Sequence, residues 1–183
     1  VFGVVDQVCT YFGGAYDPAA HAYLDTQVPG LGAVRRGRPK RNNKQDLFSG
    51  MACEKFGSTM LVHSPSGEER RTAVAGAHGG LKLVRHEIVL HLYLYSTAEY
   101  AEDAQDAFYE LLDRIRERIH ADRTLGSGGF EARLDGVPDP RGLQAGEGDG
   151  PPLRWELEHI ETAANVTRGY GLVGFDVDQF IRA

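Results

Sequence analysis

RHEIVLHLYLYSTAEYAEDAQDAFYELLDRIRERIHADRTLG, residues Arg85 to Gly126, changes its apolar period once along its length. From Glu87 to Tyr95 the chain alternates, with Ile88, Leu90, Leu92 and Leu94 on one side and Glu87, Val89, His91, Tyr93 and Tyr95 on the other. A two-residue period predicts a strand, here a central one. From Thr97 to His120 the step becomes three and four, and Ala101, Ala104, Phe108, Leu111, Leu112, Ile115 and Ile119 fall on one stripe, which predicts an amphipathic helix. Ser96-Thr97-Ala98-Glu99 reads as its capping box, flanked by Tyr95 and Tyr100 as a hydrophobic staple. Glu99, Glu102, Asp103 and Asp106 crowd the start, while Arg114, Arg116, Arg118 and His120 crowd the end, opposing the helix macrodipole.

Working outward, Ser58 to His63 and Arg70 to Ala77 read as two strands joined by a turn at Pro65-Ser66-Gly67, a hairpin ahead of the central strand. Beyond the helix, Phe130, Ala132 and Leu134 alternate with polar neighbours. Leu153 to Thr162 and Tyr170 to Val177 have strand composition with a break from Asn165 to Gly169, predicting a second hairpin. Between these lies Gly136 to Pro152, whose five glycines and four prolines in seventeen residues argue against helix and strand alike. At the other end, Val4, Val5, Val8, Cys9 and Phe12 have helical spacing stopped by Gly13-Gly14, and Pro18 to Val28 suggests a second short helix. Gly30 to Lys55 reads mostly as loop, with Leu31 to Arg36 a short strand.

The chain has 183 residues, enough for one self-sufficient core, and its 42% hydrophobic and 25% charged residues place it among folded globular proteins. The apolar run Ile88 to Tyr95 is far shorter than a bilayer span. Val1 to Phe12 carries Asp6 and no basic region, which argues against a secretory signal, and a reducing compartment fits the two cysteines, Cys9 and Cys53, read as buried small hydrophobes. The net charge of -6 is uneven: Arg35, Arg36, Arg38, Lys40, Arg41 and Lys44 lie within ten residues, so the remainder stands at -12. This basic run is either a solvated loop or a docking segment for an acidic protein surface or phosphate.

Motifs for chemistry are weak. Gly169, Gly171 and Gly174 in GYGLVG match a dinucleotide fingerprint, yet only nine residues follow, too few for the helix and acidic residue that such a site uses; a strand or bulge with close backbone packing fits better. Gly126-Ser127-Gly128-Gly129 lacks the lysine of a phosphate loop. The seven histidines show no ligand spacing, and His86 and His91 fall on opposite faces of the central strand. No GxSxG elbow occurs. Catalytic, cofactor and metal residues are therefore not assigned.

The segment Arg85 to Gly126, ending Asp122-Arg123-Thr124-Leu125-Gly126, resembles the tail terminator and minor tail proteins of long-tailed bacteriophages. Their pattern is a strand ending in an aromatic, a Ser/Thr-Ala connection, a long Ala-rich helix and an Asp-x-Thr-Leu-Gly-like exit. LRWELEHIETAANVTRGYGLVGFDVDQFI, Leu153 to Ile181, is similar to their closing strand pair, and together the two stretches span about 70 residues. The resemblance implies an α+β fold, a mainly antiparallel sheet packed by one long amphipathic helix and a shorter N-terminal helix, in a single domain over residues 1–183 with long loops at 35–55 and 136–152. It further implies a structural virion protein without enzymatic activity or cofactor, present in the host cytoplasm during assembly and then in the tail and neck. There it would form a homohexameric ring that caps the tail tube, stops its polymerisation and joins head to tail.

Its partners would be itself, the tail tube protein and a head-to-tail connector or stopper, with no membrane, and genomic DNA would pass through the ring without sequence-specific binding. Candidate partner-binding residues are Arg35, Arg36, Arg38, Lys40, Arg41 and Lys44 in the first loop and Arg141, Leu143, Glu147 and Asp149 in the second. Rival readings are another neck component, a small hydrolase or nucleotide-binding enzyme, and a nucleic-acid-binding module using the basic run.

Overall fold

The computed structural model describes residues 2–37, 57–73, 81–97, 100–128, 142–146, 153–163 and 166–182. Helix α1 (Phe2–Gly13) precedes strands β1 (Tyr16–Asp17), β2 (Ala22–Tyr23), β3 (Ala33–Arg36), β4 (Thr59–His63), β5 (Gly67–Ala73) and β6 (Leu81–Ser96). Helix α2 (Ala101–Ala121) then leads to β7 (Leu143–Ala145), β8 (Arg154–Ala163) and β9 (Val166–Arg182).

The spine is the antiparallel pair of β6 and β9, in unbroken register from Leu81 opposite Arg182 to Ser96 opposite Thr167. Each spine strand carries two shorter strands end to end along its outer side. On β6, β4 covers Val89 to Tyr93 and β5 covers Leu81 to His86. On β9, β8 covers Val166 to Gly174 and β7 covers Val177 to Gln179. The main path through the sheet runs β1-β2-β3-β4-β6-β9-β7.

This architecture overturns the expected fold class. Among the described residues strands make up 48% and helices 25%, and the seven-strand path curls into a mixed half-barrel with only two helices, not a sheet packed by a long helix. The sheet is mixed because β3 and β4 run parallel, Ala33 opposite Thr59 to Arg36 opposite Val62. Local period marks individual strands, but which strands pair is settled by long-range contacts, and these build a larger sheet than the segments suggest one by one.

Other expectations change with it. β4 and β5 do not pair with each other: both pair with β6 at different heights, so the chain around Pro65 steps along one edge and makes no hairpin. Pro18 to Val28 is turn and strand β2, not helix, with Asp17 Oδ1 accepting from the Ala19 amide at 2.8 Å. The glycine- and proline-rich stretch contributes strand β7, whereas Phe130, Ala132 and Leu134 lie outside the described residues. The β8–β9 hairpin forms as the strand composition predicts, but residues 166–169, expected within the break, belong to β9.

Ser96 is not the N-cap of the helix, because it is still paired in β6. The helix begins later, with Tyr100 in extended conformation as its N-cap and no side-chain cap bond; Glu99 lies outside the described residues.

One apolar cluster joins the sheet to both helices: Val8 and Phe12 from α1, Phe108, Leu111 and Ile115 from α2, and Ile88, Leu90, Leu92, Val173 and Phe175 from the spine. Two glycines permit close approach. A Cβ at Gly13 would stand 2.4 Å from the Tyr23 Cβ, so α1 lies almost on β2. At Gly171, central in GYGLVG, a Cβ would meet the Glu156 carbonyl at 2.9 Å and the Phe108 ring at 3.0 Å. The fingerprint glycines thus sit in strand β9, and one of them makes room for an aromatic ring of α2.

Residues Asp122 to Gly126 form a local lock. The Asp122 carboxylate accepts from the Thr124 amide at 2.9 Å, the Thr124 hydroxyl at 2.6 Å and the Gly126 amide at 3.0 Å. The Thr124 hydroxyl bond leads in holding the Asp122 pKa below the usual carboxylate value. The turn drives Leu125 into the core with positive φ, and Gln7 of α1 donates to the Leu125 carbonyl at 2.9 Å.

Candidate functional site

β6 and β9 present two faces. The face toward the helices is apolar apart from the buried His86; the opposite face carries a polar half and an aromatic half. In the polar half Arg85 grips Asp178 in a two-bond fork, Nε to Oδ1 at 2.8 Å and the second nitrogen to Oδ2 at 3.0 Å. Nearby Ser66 donates to Glu87 at 2.6 Å, and Arg154 stands 3.7 Å from Glu87. Burial raises the pKa of Asp176 in this group. In the aromatic half, Tyr93 and Tyr170 are fully buried with Leu61, and the His91 ring lies 2.8 Å from the Tyr170 hydroxyl through Nδ1. His63 and His91 have ring centroids 6.0 Å apart. Among the described residues, no three His, Cys, Asp or Glu side chains gather as a metal site.

Cys9 is buried beneath Asp6 and Arg36, and desolvation pushes its thiol pKa far above the ordinary value. No thiolate is available there at neutral pH.

The candidate docking residues divide among different environments. Arg35 and Arg36 end strand β3. Arg36 is held within the chain, 3.0 Å from Asp6 and with its guanidinium 4.8 Å from the Tyr16 ring centre, while Tyr23 donates its hydroxyl to the same Asp6 carboxylate. Arg35 donates to the His21 carbonyl at 3.3 Å. Leu143 is 2% exposed in β7 and belongs to the core, which removes it from a contact surface. Its amide donates to the Ser127 hydroxyl at 2.8 Å, so this backbone donor is already used within the chain. Arg38, Lys40, Arg41, Lys44, Arg141, Glu147 and Asp149 lie outside the described residues.

The surface that sequence reading missed is the seam between β8 and α2. Trp155 of β8 is 52% exposed, with the Arg116 guanidinium 3.9 Å above its ring. Tyr109, on the same helical stripe as Arg116 two turns earlier, is 44% exposed and accepts from Gln105 at 2.9 Å. Arg116 also pairs with Asp113 at 2.8 Å, so the indole and the carboxylate share one guanidinium. Among the described residues, β8 pairs with β9 alone and its other edge has no strand partner. The available signal was Trp155, the single tryptophan, set between Arg154 and Glu156 in a strand-like run. Large aromatics with polar neighbours on an open edge are a composition common to protein interfaces.

The chain matches no protein-family model and no curated protein. No helix among the described residues is long and apolar enough to cross a membrane.

Proposed function

We propose that this chain is the subunit of a bacteriophage tail terminator, a ring that caps the tail tube, halts its growth and offers the surface to which the head joins. The observation that carries this reading is the exposed Trp155 on the outer strand β8, seated on Arg116 and backed by a deeply buried spine. A rigid frame with a half-exposed indole on an open strand suits protein–protein assembly, because the aromatic loses little conformational freedom when a neighbour covers it.

The pattern of Arg85 to Gly126 and Leu153 to Ile181 adds the family expectation. A growing tube presents the same edge after each ring is added. A terminator binds that edge and displays a different one, so growth stops. Six subunits engaging together multiply weak individual contacts, and short loop segments therefore suffice for docking. In this reading Arg38, Lys40, Arg41 and Lys44 meet the tube or neck, and the acidic remainder of the ring lets DNA slide past.

The test is electron microscopy of particles made without this protein. Tails of abnormal length are expected. Normal free tails beside leaking heads would instead assign it to the neck, and normal particles would reject a structural role altogether.

A further inference from the structure

We infer that the middle of the sheet's outer face, where Glu87 and Asp176 stand side by side, binds an arginine side chain of a protein partner. The inference does not depend on the ring reading above.

Glu87 of β6 and Asp176 of β9 are direct cross-strand partners on the face turned away from the helices. Like charges set opposite each other in an antiparallel pair repel, so this arrangement works against the ladder that holds it. The shorter strands stop on either side of the two residues. β4 ends at His63 opposite Val89 and β5 begins at Gly67 opposite His86, which leaves Glu87 at the step between them. On the far side β8 begins at Arg154 opposite Gly174, and β7 ends at Ala145 opposite Val177, which leaves Asp176 at a matching step. The two carboxylates share the waist of the sheet.

The neighbouring groups leave this pair short of positive charge. Arg85 forks onto Asp178 at 2.8 and 3.0 Å. Glu87 takes the Ser66 hydroxyl with Oε2, while its Oε1 stands 3.7 Å from the exposed Arg154, beyond hydrogen-bond reach. Asp176 is only 8% exposed, and its carboxylate makes no hydrogen bond or ion pair with the described residues. A carboxylate taken out of water and left unpaired is costly, and a cation supplied from outside offsets that cost. Burial raises the Asp176 pKa although Arg85 and Arg154 act to lower it, so the chain's own arginines do not make up for the lost water.

Shape selects the cation. Among the described residues these carboxylates do not gather as a metal site. Directly opposed residues have Cβ atoms about 5 Å apart on one face, a spacing that a planar guanidinium can bridge with two N–H donors. Arg85 on Asp178, the next outward residue along β9, shows the same fork. A lysine ammonium is a point charge and lacks that fit. The waist adjoins Arg154 and Trp155 at the exposed start of β8, so a protein that covers this strand end can reach it with a side chain.

The experiment is a carboxylate-detected NMR titration of the full chain with the capped pentapeptide Gly-Gly-Arg-Gly-Gly, its lysine counterpart and free arginine. The arginine peptide should shift the Glu87 and Asp176 resonances saturably, and the lysine peptide should bind about threefold more weakly. Asp176→Asn should raise the urea midpoint, because it removes a desolvated charge opposite Glu87, and should weaken peptide binding about tenfold. Glu87→Gln, which keeps an acceptor for Ser66, should weaken it less. Arg154→Ala should tighten binding, since it removes the cation nearest the site. No saturable shift at Asp176 in the wild-type chain would overturn the inference. So would unchanged binding in both Asp176→Asn and Glu87→Gln, and a lowered urea midpoint in Asp176→Asn would assign that carboxylate to the fold. Binding of free arginine without the capped peptide would point to a small-molecule pocket and also overturn it.

Discussion

β6 and β8 are both alternating strands, yet they meet opposite fates. β6 buries Ile88, Leu90 and Leu92 on one face and Tyr93 on the other, and has strands along both sides. β8 places Trp155, Leu157 and Ile160 toward the helix side, keeps Arg154, Glu156 and Glu161 exposed, and has a strand along one side only among the described residues. An alternating sequence specifies two faces, but a strand also has two edges, and side-chain pattern says little about those. The difference separates a strand paired along both edges from one whose outer edge has no strand partner among the described residues.

The largest effects should come from the region that makes the fold. Ile115→Asp would place a carboxylate with no partner where the side chain is fully buried, costing more than about 4 kcal/mol; the expected result is loss of the cooperative urea transition, and a soluble, cooperative variant would break the contrast. Phe108→Ala empties the space beside Gly171 and should cost about 3–5 kcal/mol in urea denaturation. Gly171→Ala crowds the same spot and should cost about 1–3 kcal/mol. Adding Phe108→Leu to Gly171→Ala should recover part of that loss, because the ring is one of the two groups the new methyl meets.

A smaller effect concerns pH. Burial lowers the pKa of His86 from its ordinary value of 6.5, so its neutral form is favoured in the folded state. The associated stability is complete above 6.5 and declines as pH falls from there toward the depressed folded value, because the unfolded chain takes up the proton first. Melting temperature should therefore drop on mild acidification, and less so in His86→Gln. An equal drop in both proteins would assign the loss to other groups.

At the low end, Trp155→Ala should change monomer stability by only about 0.5 kcal/mol, since the indole is half exposed, while sharply weakening assembly. If its main effect were on folding, the division between frame and edge would have to be redrawn.

Much of the frame was legible because it depends on local period. The strand containing Ile88 to Leu94, most of the helix carrying Phe108 and Ile115, and α1 follow from residue spacing, and the β8–β9 hairpin from strand composition. What spacing misses is pairing between distant segments. Nothing near Gly67 or His63 says that both flanking strands share β6 in place of each other, and nothing near Ala33 announces a parallel neighbour at Thr59. The helix start was misplaced because Ser96, a good capping residue, is used by the ladder to Thr167. Of the candidate contact residues, Leu143 was misjudged from its setting in a glycine- and proline-rich run, where a three-residue strand is enough to bury it. Trp155 was overlooked because its strand could be recognised while its position at the rim could not.

The central claim, that β8 is an edge reserved for assembly, is tested most directly by amide hydrogen exchange on the free and the assembled protein. The account predicts that outward-facing amides from Arg154 to Leu157 exchange quickly in the free chain and slow markedly on assembly, with those of β6 protected throughout. Unchanged exchange along β8 between the two states would contradict it.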